Sequence, residues 1–446
     1  MYTVKIRPQN IMREEHRSRM YGFSAVVIVI LFILFTTTYF SRPASQKFGL
    51  FKFYTPNKDN EFAAIIFDAG STGSRLHVYH FAKGGSPGSL PKLLSEKFES
   101  IKPGLSSYAE DPVKGANSLA PLLDMAKKDV PEEQWSSTPI ALMATAGLRL
   151  LPLPKSNALL SEVTKLFKSY PFKLGEKGIS IMDGTDEGIY SWLTLNFLNG
   201  GILGANRSSG ALDLGGGSTQ ITFIPSEKET VEKAPKEYLK NIDVFGKKFD
   251  LYTHSYLGLG MMSARFSLLG GTEGPIPKEG RPVEETMLDS VCFPPGKEEN
   301  WVFGGQKYVV KNSGKKFGFK DCFTLAEALV NSTVQKPVEI SRKTFYAFSY
   351  YYDRAVEAKL IEETGGTIKV EQFEKAASIA CSSRENSERL GGVFQCVDLT
   401  FISALLQKGY GFHSDTSLIL QKKINDVEIT WGLGAAFPLI KKQMDS

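Results

Sequence analysis

Two stretches of this chain share one pattern: residues 65–79 read IIFDAGSTGSRLHVY and residues 211–224 read ALDLGGGSTQITFI. Each has an apolar run with an Asp near its end, then a glycine-rich turn with Ser-Thr, then a run of alternating apolar residues. Continuous apolar runs and period-two alternation both indicate β-strands. The repeat predicts one strand–turn–strand unit used twice, once in each of two related lobes.

The chemistry of these turns favours a phosphate site. A glycine-rich turn leaves several backbone N–H groups free to converge on an anion, and the neighbouring hydroxyls add donors. The Asp before each turn would repel phosphate, so a divalent cation is its natural ligand. One such hairpin is commonly only a tight turn. Two copies favour a two-sided clamp on an oligophosphate.

Three further segments carry candidate functional groups. ATAGLR, residues 144–149, brings a permanent charge at Arg149, although a structural arginine is equally compatible with this segment. GTDEG, residues 184–188, stands at a predicted helix start, where Thr185 or Asp186 could serve only as a cap and Glu187 is a candidate base. In WGLGAAF, residues 431–437, Trp431 is either core or a wall of a nucleotide pocket. No P-loop or HExxH motif occurs in the sequence.

The rest of the chain predicts an α/β protein. Apolar residues recur at helical spacing over residues 114–127 and 157–168, residues 189–198 are apolar enough for a largely buried helix, and strands alternate with them. The length of 446 residues predicts two or three domains. A net charge of +5 without basic clusters gives no footprint for nucleic-acid binding.

The N-terminal region predicts a membrane anchor. Residues 23–40 carry no charge and are just long enough to span a bilayer. Five basic residues precede them and few follow, so the positive-inside rule places residues 1–22 in the cytosol and the remainder, after a stem at 41–61, in a lumen or outside. A cleaved signal peptide is the alternative.

That compartment is oxidising, so the four cysteines are expected to form disulfides. The economical pairing is Cys292 with Cys322 and Cys381 with Cys396, although the sequence does not fix the connectivity. Asn206 and Asn331 begin glycosylation sequons, either of which can remain unused.

Taken together, FDAGSTGSR, ATAGLR, GTDEG, DLGGGSTQ and WGLGAAF, in this order, resemble the five apyrase signature regions of the nucleoside triphosphate diphosphohydrolase family. The single N-terminal anchor and the four cysteines resemble its type 5 and type 6 subgroup. The resemblance implies an actin-like, two-lobed α/β fold with the active site in the cleft. One lobe would comprise residues 62–183 and 423–446, and the other residues 184–422.

The resemblance also implies residue roles. Glu187 would be the general base, Ser218 and Gln220 would position the attacking water, and Asp68 and Asp213 would organise a Ca²⁺ or Mg²⁺ shell. The implied phosphate ligands are Ser71, Thr72, Gly73, Ser74, Arg75, Thr145, Gly215, Gly216 and Gly217. The implied base-binding residues are Tyr410, Tyr350 and Trp431. This chain departs from the family pattern by placing Asp353 where relatives have an aromatic residue.

The function implied is hydrolysis of the terminal phosphate of nucleoside diphosphates, with UDP and GDP preferred, in the ER or Golgi lumen. The expected partners are these substrates and a membrane, without nucleic acid, and the chain is expected to be a monomer. The alternatives are a broad apyrase, a polyphosphatase and a non-catalytic binding protein. Sugar kinases and chaperone ATPases share the fold, but the anchor and the sequons argue against both.

Overall fold

The computed structural model describes residues 60–84, 89–204, 207–272, 286–296 and 298–445. These residues belong to one compact unit that begins at Asn60. The expected anchor at 23–40, the tail, the stem and the sequon at Asn206 lie outside the described residues. Within the described ranges, no helix combines the length and the apolarity needed to cross a bilayer.

The first sheet has five strands in the order β3-β2-β1-β4-β5, in which β1, β2 and β3 are antiparallel and β4 and β5 run parallel to β1. Its strands are β1 (Glu61–Ala69), β2 (Ser74–Ala82), β3 (Lys92–Ile101), β4 (Pro139–Ala144) and β5 (Lys173–Ile181). Alternate residues of β1 enter different cores, with Ile65 on one face and Ile66 on the other. Burial on both faces explains the continuous apolar run that precedes the first turn.

The second sheet has seven strands in the order β14-β15-β13-β6-β7-β9-β8. The strands after β5 are β6 (Gly210–Leu214), β7 (Ser218–Phe223), β8 (Leu239–Val244), β9 (Lys247–Leu257), β10 (Thr286–Asp289), β11 (Glu299–Phe303), β12 (Gln306–Lys311), β13 (Phe345–Ser349), β14 (Gly366–Lys369), β15 (Ser417–Leu420), β16 (Lys423–Ile424) and β17 (Val427–Glu428). Strands β10–β12 and the pair β16–β17 form two small separate sheets.

The two large sheets repeat one plan. In the second sheet, β6, β7 and β9 are antiparallel neighbours, and β13 and then β15 run parallel to β6. This is the order and direction of β1, β2, β3, β4 and β5 in the first sheet. The repeated sequence pattern thus occupies the same place in each sheet, at the centre and along the first hairpin, and the predicted two-lobed α/β class is confirmed.

The helices are α1 (Pro112–Asn117), α2 (Ala120–Asp129), α3 (Ala146–Arg149), α4 (Leu153–Lys168), α5 (Gly184–Leu198), α6 (Lys228–Lys233), α7 (Met261–Leu268), α8 (Phe319–Asn331), α9 (Tyr350–Glu357), α10 (Val370–Ala380), α11 (Arg384–Arg389), α12 (Gln395–Ala404) and α13 (Gly432–Asp445). Helix α5 packs against α13 and the second sheet, while α13 packs against β1 of the first sheet. Trp192 and Leu195 are fully buried, as the apolar composition of α5 predicted.

One predicted helix is divided. The helical spacing over 114–127 predicted a single element, but the structure has α1 and α2 with a break at Ser118 and Leu119. Pro121 lies in the first turn of α2 and has no N–H to donate to the preceding turn, so the first helix cannot continue through it.

The disulfide pairing is confirmed. Cys292 bonds to Cys322, and Cys381 bonds to Cys396. All four side chains are buried in the core of the second sheet and its helices, and neither bond contacts the cleft described below.

Candidate active site

The two glycine-rich turns have the same internal geometry. Gly70 N–H donates to the carbonyl of Gly73 over 3.0 Å, and Gly215 N–H donates to the carbonyl of Ser218 over 3.0 Å. Each turn therefore closes with one hydrogen bond across the hairpin and leaves its middle amides free. This is the arrangement that can receive an anion through backbone N–H groups.

The turns lie against each other and against the ATAGLR segment. A methyl group placed on Gly216 would collide with the hydroxyl of Ser71, and one placed on Gly217 would lie 2.8 Å from the Ala146 Cβ. A methyl group on Gly147 would lie 2.8 Å from the Cα of Ser71. Only glycine allows these three backbones to approach so closely.

A cavity of about 260 Å³ lies between the two turns. Most of the sequence-predicted residues line it, namely Asp68, Ser71, Thr72, Arg75, Thr145, Glu187, Asp213, Gly215, Gly216, Gly217, Ser218, Tyr350 and Trp431. Gly73 and Ser74 are buried and lie outside this lining. The structure thus brings segments from both ends of the described chain to a single cleft.

Glu187 occupies the first turn of α5, where the side chain faces the cleft. Asp183 caps this helix by accepting a hydrogen bond from the Thr185 N–H over 2.8 Å, so Thr185 and Asp186 are not the cap. Arg149 donates a hydrogen bond to the Glu187 carboxylate. Burial raises the pKa of Glu187 to about 8, and Arg149 opposes this increase. Such a group can exchange a proton near neutral pH.

Asp68 and Asp213 are equivalent positions of the two hairpins and are both buried. Arg75 donates to Asp68 Oδ2 over 2.8 Å, while Asp68 Oδ1 has no hydrogen-bond partner among the described residues. Ser349 and Ser191 donate to the two oxygens of Asp213 over 2.7 and 3.1 Å. Burial raises the pKa of Asp213 to about 6.

These two carboxylates fit a hard divalent cation. A buried carboxylate oxygen without a partner suits a cation or its bound water, and Mg²⁺ is commonly held by one or two carboxylates together with waters and substrate phosphates. The described ranges contain no group of three or more His, Cys, Asp or Glu side chains arranged to hold a metal. The donor set therefore fits a cation that the substrate helps to bind.

Ser349 is a residue that sequence reasoning missed. It adopts a φ of 57° between β13 and α9, a conformation that costs about 1–3 kcal/mol for a residue other than glycine. This backbone directs its hydroxyl to Asp213 Oδ1. No sequence pattern marks it, because its importance depends on a contact between β13 and β6.

Gln220 lies behind the cleft and does not line it. Its side-chain amide donates to Ser218 Oγ over 2.9 Å and to Ser255 Oγ over 2.8 Å. Its carbonyl oxygen is buried without a partner among the described residues. Gln220 thus fixes the position of the Ser218 hydroxyl, which itself faces the cavity.

Tyr410 was predicted to stack on the base, and the structure corrects this prediction. Its ring is fully buried in the core of the second sheet, and its hydroxyl lies 3.2 Å from Thr219 Oγ1. Tyr410 does not line the cavity, so no base can stack on it. Tyr350 and Trp431 do line the cavity, although Trp431 exposes only 3% of its surface.

Four further residues line the outer part of the cleft: Lys102, Tyr352, Asp353 and Lys422. Among them, the sequence signalled only Asp353, through its departure from the family pattern. The two lysines belong to connections after β3 and β15, where an isolated lysine carries no functional signal. Asn331 is exposed at the end of α8, so its sequon remains open to modification.

Comparison with known proteins identifies relatives over most of the chain. Residues 54–445 match the GDA1/CD39 (nucleoside phosphatase) family. Ectonucleoside triphosphate diphosphohydrolase 5 of Gallus gallus is 46% identical over 86% of this chain and 89% of its own. Nucleoside diphosphate phosphatase ENTPD5 of Homo sapiens is 46% identical, over 84% and 87%. Ectonucleoside triphosphate diphosphohydrolase 6 of Homo sapiens is 44% identical, over 85% and 77%.

Among solved structures, a nucleoside triphosphate hydrolase from Neospora caninum aligns with a TM-score of 0.57 at 14% identity, covering 86% of this chain and 93% of its own. An exopolyphosphatase-like protein aligns with a TM-score of 0.50 at 11% identity, covering 86% and 99%. At these identities the likeness shows the fold alone.

Proposed function

The chain belongs to the GDA1/CD39 (nucleoside phosphatase) family, and from this premise we propose that it hydrolyses nucleoside diphosphates, preferring UDP and GDP, to the monophosphate and phosphate. It is a nucleotide phosphohydrolase, and its family depends on a divalent cation. The main support for this function is a single cavity in which Glu187 lies together with two amide-bearing turns and two buried carboxylates.

The turns would bind the substrate's phosphates. The free amides of residues 71–72 and 216–217 belong to two turns that line the same cavity, so each turn can receive oxygens of one phosphate chain. Thr72, Thr145 and Arg75 add donors at the rim of the first turn. Backbone donors that are fixed before binding need no reorganisation when charge develops on the phosphoryl oxygens.

The reaction we propose is an in-line attack by water. The water oxygen forms a bond to the terminal phosphorus, the bond from phosphorus to the bridging oxygen breaks, and the nucleoside monophosphate leaves. Glu187 takes the proton of the water, and Ser218, held by Gln220, orients that water. A bound Ca²⁺ or Mg²⁺ at Asp68 and Asp213 would neutralise charge on the phosphate oxygens. No covalent intermediate is involved.

One comparison supports the preference for diphosphates: a relative covering most of this chain is named a nucleoside diphosphate phosphatase. Tyr350 and Trp431 at the cavity wall would contact the nucleoside. The preference for UDP and GDP rests on the resemblance to the type 5 and type 6 subgroup.

We also propose that the enzyme acts in the secretory lumen as a single-pass membrane protein, with lobes at 62–183 plus 423–446 and at 184–422. The uncharged segment at 23–40, the basic residues before it and two disulfides support this topology. Glycosyltransferases release UDP or GDP in that compartment, and their hydrolysis would support glycosylation. Glycosidase treatment of the membrane-bound chain would test this topology, and we expect it to remove sugar from Asn331. An unmodified Asn331 in a segment that protease cleaves from the cytosolic side would contradict it.

The experiment is phosphate release by the purified full chain from UDP, GDP, ADP, CDP, UTP and ATP, with Ca²⁺, Mg²⁺ or EDTA. We expect cation-dependent release from UDP and GDP that is much slower from the triphosphates. Dominant ATP hydrolysis would instead indicate a broad apyrase, and folded protein without any activity would contradict the enzymatic role.

A further inference from the structure

A second cavity adjoins the catalytic one on the side away from Glu187. Tyr352, Asp353 and Lys422 line both cavities, so they form the passage between them. The outer cavity is otherwise lined by Val356, Glu357, Glu363, Thr364 and Lys423. A nucleotide whose phosphates occupy the turns would extend its base toward this passage.

Asp353 and Lys422 bring two opposite charges to the passage. Neither side chain makes a hydrogen bond or a close ion pair with any residue in the described ranges. Burial raises the pKa of Asp353, and Lys422 is the largest of the charges that oppose this increase. A half-buried carboxylate on a cavity wall that has no hydrogen-bond partner in the protein is available to accept from a ligand with donors.

The phosphates are not that ligand, since a carboxylate repels them. Arg75 and Lys102 line the same cavity as the turns, and both positive charges oppose the increase in the pKa of Asp353. The remaining donors of a nucleotide are the ribose hydroxyls and the edge of the base.

Stacking alone cannot select the base. An aromatic ring such as that of Tyr350 accepts the face of any base, because every base has a π-face. Strong discrimination comes from hydrogen bonds to the edge, since a mismatched base leaves buried polar groups unpaired.

We infer that Asp353 and Lys422 read the edge of the base, with the carboxylate accepting from the ring N–H of uracil or guanine and the ammonium donating to the neighbouring ring carbonyl. This inference rests on the proposed function, because it assumes that the phosphates lie between the turns. It assigns the choice of base to Asp353 and Lys422.

The pair distinguishes keto bases from amino bases. Uracil and guanine present a carbonyl acceptor beside a ring N–H donor, whereas cytosine and adenine present an amino donor beside a ring nitrogen acceptor. With cytosine or adenine, Lys422 would face a donor and Asp353 an acceptor. Both groups would then lose their partners.

The test is a comparison of UDP with CDP, which differ only at this edge. In the full chain, Asp353→Asn should lower the ratio of kcat/KM for UDP over CDP by roughly tenfold to a hundredfold, the usual loss for a hydrogen bond to a charged group. Lys422→Gln should lower it in the same direction. Glu363→Gln, an exposed carboxylate of the outer cavity alone, should leave the ratio unchanged.

Two outcomes would overturn the inference. An unchanged UDP/CDP ratio in Asp353→Asn would show that the carboxylate does not read the base. If Asp353→Asn lowered kcat/KM equally for UDP and CDP, and if the wild-type enzyme showed the same loss with 2′-deoxy-UDP, Asp353 would contact the ribose instead of the base. Calorimetry can measure the affinities for UDP and CDP in Glu187→Gln, with and without Asp353→Asn. The ratio of these affinities reports base selection without turnover. Failure of the proposed hydrolysis can therefore be told apart from failure of base selection.

Discussion

Arg149 donates a hydrogen bond from its guanidinium to the carboxylate of Glu187, joining the end of α3 to the first turn of α5. Both side chains are largely buried, with 14% and 8% of their surfaces exposed. Burial favours the protonated acid, and the adjacent cation favours the carboxylate. Arg149 thus influences the protonation of Glu187, the proposed general base, without itself taking part in the reaction.

Removing this charge should shift the pH profile. The proposed base works only when ionised, so kcat/KM should rise with pH through an apparent pKa near the value of about 8 at Glu187. Arg149 lowers that pKa, so Arg149→Met should move the acidic limb to higher pH. Arg149→Lys keeps the charge and should move it less. An acidic limb that stays fixed in Arg149→Met would show that Glu187 does not govern the profile.

Loss of the base should abolish turnover without unfolding the protein. Glu187→Gln keeps the size and hydrogen-bonding capacity of the side chain but cannot take a proton, so kcat should fall by roughly 10²–10⁴. Circular dichroism should show an unchanged fold. Asp186→Asn, at the neighbouring exposed carboxylate, is the matched control and should retain most activity. Comparable losses in both variants would argue for a structural effect on α5.

The sequence predicted the parts of the site that depend on local backbone. A turn such as 70–73 needs glycine because other atoms lie too close to admit a side chain, and glycine at these positions is visible in the sequence itself. The repeat around Asp68 and Asp213 likewise followed from local pattern, and the structure places both carboxylates at equivalent strand ends. The pairing of Cys381 with Cys396 followed from proximity along the chain.

What the sequence did not predict depends on contacts between distant segments. Tyr410 resembled a base platform, but its ring is buried in the core of the second sheet and its hydroxyl lies against Thr219 on β7. Ser349 acquires its role from Asp213, which is far away along the chain. Lys422 lies near Asp353 only because the connection after β15 returns to α9.

The approach of ATAGLR to the first turn gives a prediction about backbone placement. Gly147→Ala would put a methyl group 2.8 Å from the Cα of Ser71 and displace that turn. A displacement of about 1 Å at a positioning group can cost roughly 10²-fold, so kcat/KM should fall by that order. Gly175→Ala introduces a methyl group with no atom within 4 Å and should be silent. Full activity in Gly147→Ala would mean that the turn tolerates displacement.

The second disulfide should contribute stability but not catalysis. The double variant Cys381→Ala with Cys396→Ala opens a loop of 15 residues, and the unfolding free energy should fall by about 3 kcal/mol. Neither cysteine lines the cavity, so kcat/KM at 25 °C should stay within about twofold. Denaturant titration and initial rates measure the two effects separately. A large loss of kcat/KM in folded protein would show coupling between the helical core and the cleft.

The placement of Tyr410 predicts a dissociation between stability and substrate binding. Tyr410→Phe removes the contact with Thr219 Oγ1 and should lower the unfolding free energy by about 1 kcal/mol. The KM for UDP should be unchanged, because the ring does not reach the cavity. Tyr350→Ala removes a ring that lines the cavity, and loss of base stacking should raise KM by roughly tenfold. If Tyr410→Phe changed KM while Tyr350→Ala did not, the base would have to lie beside the core of the second sheet, in conflict with the full burial of Tyr410.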